Sequence, residues 1–401
     1  MQNGKRMNVI HGLDQLAYHE DWSRQFSGNI GYLCNSASIS SDYTHGIHLL
    51  KKRFGTRLKK IFAPQHGLFA EVQDNMRESN HFFHSYFQLP VYSLYSDTRS
   101  PTKEMLEGID HLIIDLQDVG SRVLTYINTV ALSMKACAKE DIEVVILDRP
   151  NPIGGNQIEG NILDPTFSSF VGMFPIPMRH GLTIGEFALM SIKYFQIDCK
   201  LTVIPLINWQ RSLYFDSTKL PWVLPSPNLS SLETAIVYIS TVLFEATSIS
   251  EGRGTVKSLE TIGHPDIEPF EWAIKLNNIF AELKLEGFVL RPLHYIPTFD
   301  KFTEIACGGF QIHVTDRQLF KPWQVAQVLL REFKQLMGNS FQWLNPPFEY
   351  EYEKLPIDIL NGTDQLRKWV DNYGNYDDLV RIETNGMTDY LNKRQTILLY
   401  K

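Results

Sequence analysis

The sequence has few cysteines, no long apolar run and no excess of positive charge. The four cysteines lie far apart and form no Cys-x-x-Cys pair, a pattern that predicts reduced, half-buried thiols rather than a zinc knuckle or a disulfide framework. No stretch approaches the roughly 18 consecutive apolar residues of a membrane-spanning helix. A net charge of −7 does not indicate the positively charged surface that nucleic-acid-binding proteins carry. We therefore expect no nucleic-acid partner and no membrane span. The four cysteines are Cys34, Cys137, Cys199 and Cys307.

What the sequence does contain is the composition of an ordinary globular protein, with 43% hydrophobic and 21% charged residues. A chain of 401 residues is too long for one core, which favours two domains. The first thirty residues contain no apolar run of signal-peptide length, so we expect a cytoplasmic location. The sequence leaves the oligomeric state open.

Six short apolar runs alternate with helical patterns in the first two-thirds of the chain. Continuous apolar strands are buried on both faces, as in a parallel sheet. Their alternation with helices such as Thr44–Phe54 and Tyr126–Lys139 predicts an α/β fold with a Rossmann-like, mostly parallel sheet. The runs are Ile30–Cys34, Lys60–Ala63, Val91–Tyr95, His111–Leu116, Glu143–Leu147 and Leu201–Leu206.

The last third of the chain has the pattern of a smaller α+β domain. We place the boundary in the glycine-rich segment Ser250–Thr255, so that the Rossmann-like N-terminal domain covers residues 1–253 and the smaller domain covers 254–401. The predicted elements are the helices Pro269–Leu285, Trp323–Met337 and Asp364–Asn372 and the strand Gly309–Val314.

Polar residues follow four of the predicted strands, at the edge where open parallel sheets bind their ligands. Chance is the alternative, since loops are polar in any case. His66 could serve only its own turn, and Asp115 could be the buried partner of Arg122 or Arg149. The polar residues are Asn35, Gln65, His66, Asp118, Arg122 and Arg149.

Two further segments carry charged candidates. Arg179 and His180 precede a capping box, where a helix N-terminus attracts anions. Glu251 and Arg253 bring a carboxylate and a guanidinium together in a glycine-rich loop. No HExxH, GxSxG or Cys/His ligand pair is present, so we expect neither a metal nor a cofactor. Acids, amides and arginines in this combination are typical of a site for a hydroxyl-rich ligand.

Several segments follow one another along nearly the whole chain, including APQHGLF (63–69), DLQDVGSRVLTYI (115–127), LDRPNPIGG (147–155), FVGMFPIPMRHGLTIGE (170–186), PSPNLSSLETA (225–235), LFEATSISEGRGT (243–255) and PIDILNG (356–362). Together they resemble the exo-β-N-acetylmuramidase (NamZ-type) family. The resemblance implies a Rossmann-like domain, a smaller C-terminal domain and a cleft between them. It also implies hydrolysis of terminal N-acetylmuramic acid from small peptidoglycan fragments, and hence a small carbohydrate partner.

The chain departs from this pattern at Gln65, where active members carry a glutamate in the segment Pro-Glu-His-Gly. An amide cannot give or take a proton, and losing general acid–base help costs about 10² to 10⁴ in rate. Either another acid, such as Glu71, Asp118 or Glu251, takes the role, or the chain is an altered paralogue that binds an amino sugar without hydrolysing it.

The first hypothesis is a muramidase-like glycoside hydrolase with catalytic residues Asp118, Glu251 and His66. Either Arg179 or Arg253 is expected to bind the lactyl carboxylate, because a guanidinium pairs with a carboxylate through two hydrogen bonds. The expected substrate-binding residues are Gln65, Asn35, Arg122, Arg149, Arg179, His180, Asn228 and Arg253.

Overall fold

The computed structural model describes residues 8–73 and 76–401. Seven strands form the first sheet, and five of its six neighbouring pairs are parallel. The exception is the antiparallel pair at one edge. The strands are β1 (Ile30–Cys34), β2 (Leu58–Ala63), β3 (Phe82–His84), β4 (Leu89–Ser93), β5 (His111–Asp115), β6 (Glu143–Leu147) and β7 (Leu201–Ile204), in the spatial order β3-β4-β2-β1-β5-β6-β7.

Helices cover both faces of this sheet, which explains why its central strands are continuously apolar. Tyr32 and Cys34 of β1 belong to the hydrophobic cluster on one face, while Leu33 points to the cluster on the other. Residues of α1 (Gly12–Tyr18), α2 (Glu20–Gln25) and α3 (Gly46–Phe54) pack on the first face. Residues of α4 (Lys103–Leu106), α5 (Tyr126–Lys139) and α6 (Ile184–Tyr194) pack on the second.

The second sheet is smaller and antiparallel. Its strands are β8 (Thr261–His264), β9 (Phe288–Tyr295) and β10 (Cys307–Val314), in the order β8-β10-β9. The remaining helices are α7 (Leu232–Thr241), α8 (Pro269–Glu282), α9 (Pro322–Met337), α10 (Pro356–Asn361), α11 (Gln365–Asp371), α12 (Tyr376–Thr384) and α13 (Met387–Gln395). The predicted fold class, a mostly parallel α/β sheet with a smaller α+β part, is confirmed.

One hydrophobic cluster runs from Leu33 in β1 to Ile397 near the C-terminus, so the two sheets share a continuous core. The proposed boundary after residue 253 therefore stays a prediction. All four cysteines are free thiols, and they are buried rather than half-buried as the sequence suggested. Within the described ranges, no helix is both long and apolar enough to cross a membrane.

Candidate active site

A pocket lies beyond the carboxyl end of β2, between the rim of the first sheet and residues from the C-terminal part. It contains about 500 Å³ of space free of atoms, including open solvent, of which about 40 Å³ can hold the centres of water-sized molecules. Chain segments far apart in sequence therefore converge on one enclosure. Its polar lining comprises Gln65, His66, Thr125, Ser226, Asn228, Tyr238, Glu245, Arg253 and Glu349.

Gln65 is buried in the wall of this pocket and is held from two sides. Its Oε1 accepts a hydrogen bond from Thr125 Oγ1 at 2.7 Å, just before α5 begins. Its Nε2 donates to Glu349 Oε1 at 3.0 Å. Because a carboxylate accepts hydrogen bonds, the amide nitrogen rather than the amide oxygen faces Glu349, and the Thr125 hydroxyl, which can donate or accept, donates to the oxygen.

Glu349 reaches the pocket from a turn in which Phe348 and Glu351 form an isolated antiparallel bridge. Its Oε2 accepts a hydrogen bond from the Tyr95 hydroxyl at 2.7 Å. Burial raises the pKa of Glu349, and the hydrogen bonds from Tyr95 and Gln65 offset only part of that effect. The pocket thus holds a carboxyl group that favours its protonated form more than an exposed glutamate does.

Arg253 forms a second wall of the pocket and is only 4% exposed. Its Nη2 donates to Glu245 Oε1 at 2.5 Å, and its Nε donates to Glu251 Oε1 at 2.9 Å. Its Nη1 is buried and has no hydrogen-bond partner among the described residues. Two carboxylates therefore fix the guanidinium plane and leave one donor group uncommitted.

His66 and Asn228 complete the predicted part of the lining. His66 Nδ1 lies 2.8 Å from the Val72 carbonyl oxygen. Burial lowers the pKa of His66 to about 4, with a further contribution from the charge of Arg253, so the imidazole is neutral at pH 7 and donates through Nδ1. Asn228 Nδ2 donates to the Gln73 carbonyl oxygen at 3.0 Å, and Gln73 Nε2 donates back to Asn228 Oδ1 at 3.2 Å.

Seven of the eleven predicted site residues lie outside the pocket lining, and two of these were the expected acids. Asp118 is buried with its Oδ2 at 3.3 Å from His180 Nε2 and at 2.6 Å from the backbone nitrogen of Gly120. Glu251 accepts from Lys301 Nζ at 2.9 Å as well as from Arg253. Burial raises the pKa of Glu251, but the charges of Lys301 and Arg253 outweigh this and lower it. Glu251 therefore acts as the fixed counter-ion that orients Arg253.

The remaining predicted ligands make contacts within the protein. Arg149 forms a buried ion pair with Asp115, the structural alternative that the sequence left open. Arg179 Nη2 donates to the Ile153 carbonyl oxygen at 2.7 Å, beside a different surface pocket. These side chains stabilise the rim of the sheet rather than line the pocket. Three others do the same: Asn35 donates to Tyr126 and Pro225, Arg122 donates to four backbone carbonyls, and His180 contacts Asp118.

Models of the family described as exo-beta-N-acetylmuramidase NamZ match almost the whole chain, the N-terminal model over residues 30–233 and the C-terminal model over residues 236–400. The chain belongs to the NamZ family. It is similar to the peptidoglycan beta-N-acetylmuramidase NamZ of Bacillus subtilis (strain 168), with 37% identity over 400 residues that cover 100% of this chain and 93% of the relative. The predicted membership in a family of glycoside hydrolases is confirmed.

Two crystal structures of DUF1343 family proteins from Bacteroides fragilis share the fold of this NamZ family member. One has a TM-score of 0.85 and 28% identity, covering 99% of this chain and 100% of the other. The second has a TM-score of 0.75 and 26% identity, covering 98% of this chain and 99% of the other. The likeness therefore extends over both sheets.

Glu245 and Glu349 are the pocket carboxylates of this NamZ family member that the sequence did not predict. Glu349 lies 284 positions after Gln65, and no motif links them. The sequence around Glu349 carries no signal of its burial, because glutamate is seldom buried without a partner and its partners Gln65 and Tyr95 are distant in sequence. In the parts of the chain that the structure describes, no group of three or more His, Cys, Asp or Glu side chains could hold a metal ion.

Proposed function

We propose that this member of the NamZ family hydrolyses the glycosidic bond of a terminal N-acetylmuramic acid residue in small peptidoglycan fragments. The Bacillus subtilis relative is named for this activity on peptidoglycan. The small free volume of the pocket favours a single terminal sugar over an internal segment of glycan.

The observation that carries the substrate assignment is the uncommitted Nη1 of Arg253. N-acetylmuramic acid differs from N-acetylglucosamine by a lactyl group that ends in a carboxylate. Because Glu245 and Glu251 neutralise much of the positive charge of Arg253 and Lys301, net charge contributes little attraction. Recognition rests on directional hydrogen bonds from the guanidinium, whose geometry suits a carboxylate.

The other polar groups of the pocket suit the remainder of the sugar. Asn228 and Gln65 supply amide groups, and neutral His66 supplies a ring nitrogen that can accept a hydrogen bond. Donors and acceptors in this mixture match sugar hydroxyl and N-acetyl groups, which both donate and accept.

The test is to incubate the purified protein with 4-nitrophenyl N-acetylmuramide and with the matching N-acetylglucosaminide. We expect nitrophenol release from the first and little or none from the second. Equal release from both would contradict the role of the lactyl carboxylate, and no release together with no binding would reject the proposal.

A second candidate is a protein that binds the same sugar without cleaving it, and the observation that favours it is the amide at Gln65. Calorimetric titration with N-acetylmuramic acid distinguishes the two. Binding without turnover of any muramide would support the binding protein, whereas turnover would exclude it.

A further inference from the structure

We propose that Glu349 is the general acid of this site and supplies the proton that Gln65 cannot. The inference deepens the proposed function, because it names the group that protonates the leaving sugar. It rests on a pair of carboxylates that occupy the same pocket in different surroundings.

Glu349 lies next to Gln65 in the pocket. Glu349 Oε1 lies 3.0 Å from Gln65 Nε2, one hydrogen bond from the side chain at which active family members carry glutamate. The turn that bears Glu349 brings the carboxyl group to this place from the C-terminal part of the chain. A proton held on Glu349 is therefore within about one hydrogen-bond length of the place where a carboxyl group at position 65 would present it.

Glu349 and Glu245 differ in the charge of their hydrogen-bond partners. Glu245 makes an ion pair with Arg253 at 2.5 Å. The hydrogen-bond partners of Glu349 are an amide and the Tyr95 phenol, both neutral. Burial raises the pKa of Glu349, and the nearby charge of Glu245 adds to the effect, while the hydrogen bonds from Tyr95 and Gln65 and the charge of Arg99 offset part of it. Glycosidases place two carboxyl groups in surroundings that make one the acid and keep the other charged.

The reaction then balances as follows. Glu349 gives its proton to the glycosidic oxygen as the bond from that oxygen to C1 breaks. Positive charge develops at C1, and the carboxylate of Glu245, which lines the same pocket, stabilises it. A water molecule adds to C1 and returns one proton to Glu349. The net change is the consumption of one water molecule, and no oxidant, reductant or cofactor takes part.

The experiment compares Glu349→Gln with the wild type on two substrates that differ in their need for a proton. The disaccharide with N-acetylglucosamine as leaving group needs protonation, whereas nitrophenolate leaves without it. We expect Glu349→Gln to lose about 10² to 10⁴ in kcat on the disaccharide and less than about tenfold on the nitrophenyl glycoside. The matched control is Glu353→Gln, a change at an exposed glutamate four residues further on.

Equal losses on both substrates, or no loss on either, would overturn the assignment of Glu349 and leave the proposed function standing. A wild type that cleaves neither substrate would overturn both. If Glu349→Gln does not fold, Glu349→Asp takes its place. The shorter side chain keeps the carboxyl group but withdraws it from Gln65, so a partial loss confined to the disaccharide is expected, and an equal loss on both substrates would count against the assignment.

Discussion

Gln65 Nε2 donates a hydrogen bond to Glu349 Oε1 at 3.0 Å and so joins the rim of the first sheet to a turn 284 residues away. The contact depends on the amide, because an amide nitrogen can donate to a carboxyl group whether that group is protonated or ionised. A glutamate at position 65 would instead place two carboxyl groups at hydrogen-bond distance, and such a pair holds a shared proton in preference to two negative charges.

The first prediction concerns Gln65→Glu. With Glu349 as the acid, the substitution adds a second carboxyl group rather than a missing one, so the maximal kcat on the muramide disaccharide should change by less than about tenfold. The pair should keep its shared proton to higher pH, so the basic limb of the pH–rate profile should shift to higher pH. A gain of a hundredfold or more would contradict this and indicate a binding site that lacked only its acid.

The second prediction concerns Arg253→Lys. Lysine carries its three donors on one nitrogen and lacks the planar fork whose separate nitrogens reach Glu245 and Glu251 and leave Nη1 for a ligand. Losing one hydrogen bond to a charged group costs about 1.5 to 3 kcal/mol, which is roughly a 10- to 100-fold weaker affinity. We expect this loss for N-acetylmuramic acid but not for N-acetylglucosamine, measured by calorimetry.

Arg317→Lys is the matched control for that titration, because Arg317 pairs with Asp216 and Glu233 away from the pocket. It should leave both affinities unchanged. An Arg253→Lys variant that still distinguishes the two sugars as well as the wild type would show that another group recognises the lactyl carboxylate.

The third prediction concerns Arg122, which the sequence placed in the sugar site and the structure places between the two parts of the chain. Burial lowers the pKa of Arg122 to about 9, and its four donated hydrogen bonds hold backbone segments together. Arg122→Lys should lower the free energy of unfolding by about 3 kcal/mol or more, since each buried carbonyl left without a donor costs about 1 to 3 kcal/mol. Urea denaturation measures this. The acceptors are the carbonyl oxygens of Asn161, Ile176, Leu360 and Asn361.

For a purely structural Arg122, the folded fraction of the variant should keep the wild-type affinity for N-acetylmuramic acid. Affinity reduced tenfold at unchanged stability would instead restore Arg122 as a ligand of the sugar.

The strands of the first sheet could be predicted because burial on both faces leaves a continuous apolar run in the sequence. Helix α5 was predicted with the same ends, Tyr126 and Lys139, since one of its faces packs in the core. The edge strand Phe82–His84 was not predicted, because three residues are too short a run to identify a strand and none of them is buried in the core.

Only those residues of the site that follow a predicted strand closely in sequence could be predicted from the topology of the sheet. Gln65 and His66 follow a strand directly, so their place at the rim follows from the topology of a parallel sheet. Glu349 belongs to a turn that tertiary packing alone brings to the pocket. The loop arginines Arg122 and Arg149 were predicted as ligands of the sugar, but they make their contacts within the protein. Both carry the donors that a ligand needs. The sequence offered Asp115 as a possible partner of either arginine without deciding between them, and spacing along the chain does not reveal the backbone carbonyls that Arg122 contacts.

The fourth prediction concerns Glu159, a buried carboxyl group at the start of α9. Its Oε1 accepts hydrogen bonds from the backbone nitrogens of Trp323 at 2.8 Å and Gln324 at 3.3 Å. Burial raises the pKa of Glu159 to about 8, and the charge of Glu383 adds to the shift, while that of Arg179 opposes it. Between pH 4.5 and 8 the folded protein therefore keeps a proton that the unfolded chain releases.

A group with a raised pKa stabilises the fold fully below its unfolded value, and this contribution is lost as the pH rises through the folded value. Glu159 should thus make the free energy of unfolding fall between pH 5 and 8 by at most about 1.4 kcal/mol per pH unit. Glu159→Gln keeps an oxygen acceptor for the start of α9 but does not titrate, so urea denaturation at several pH values should show a shallower slope. The exposed Glu282→Gln should leave the wild-type slope unchanged. If the curves of Glu159→Gln and wild type run parallel from pH 5 to 8, the carboxyl group does not hold a proton in the folded state.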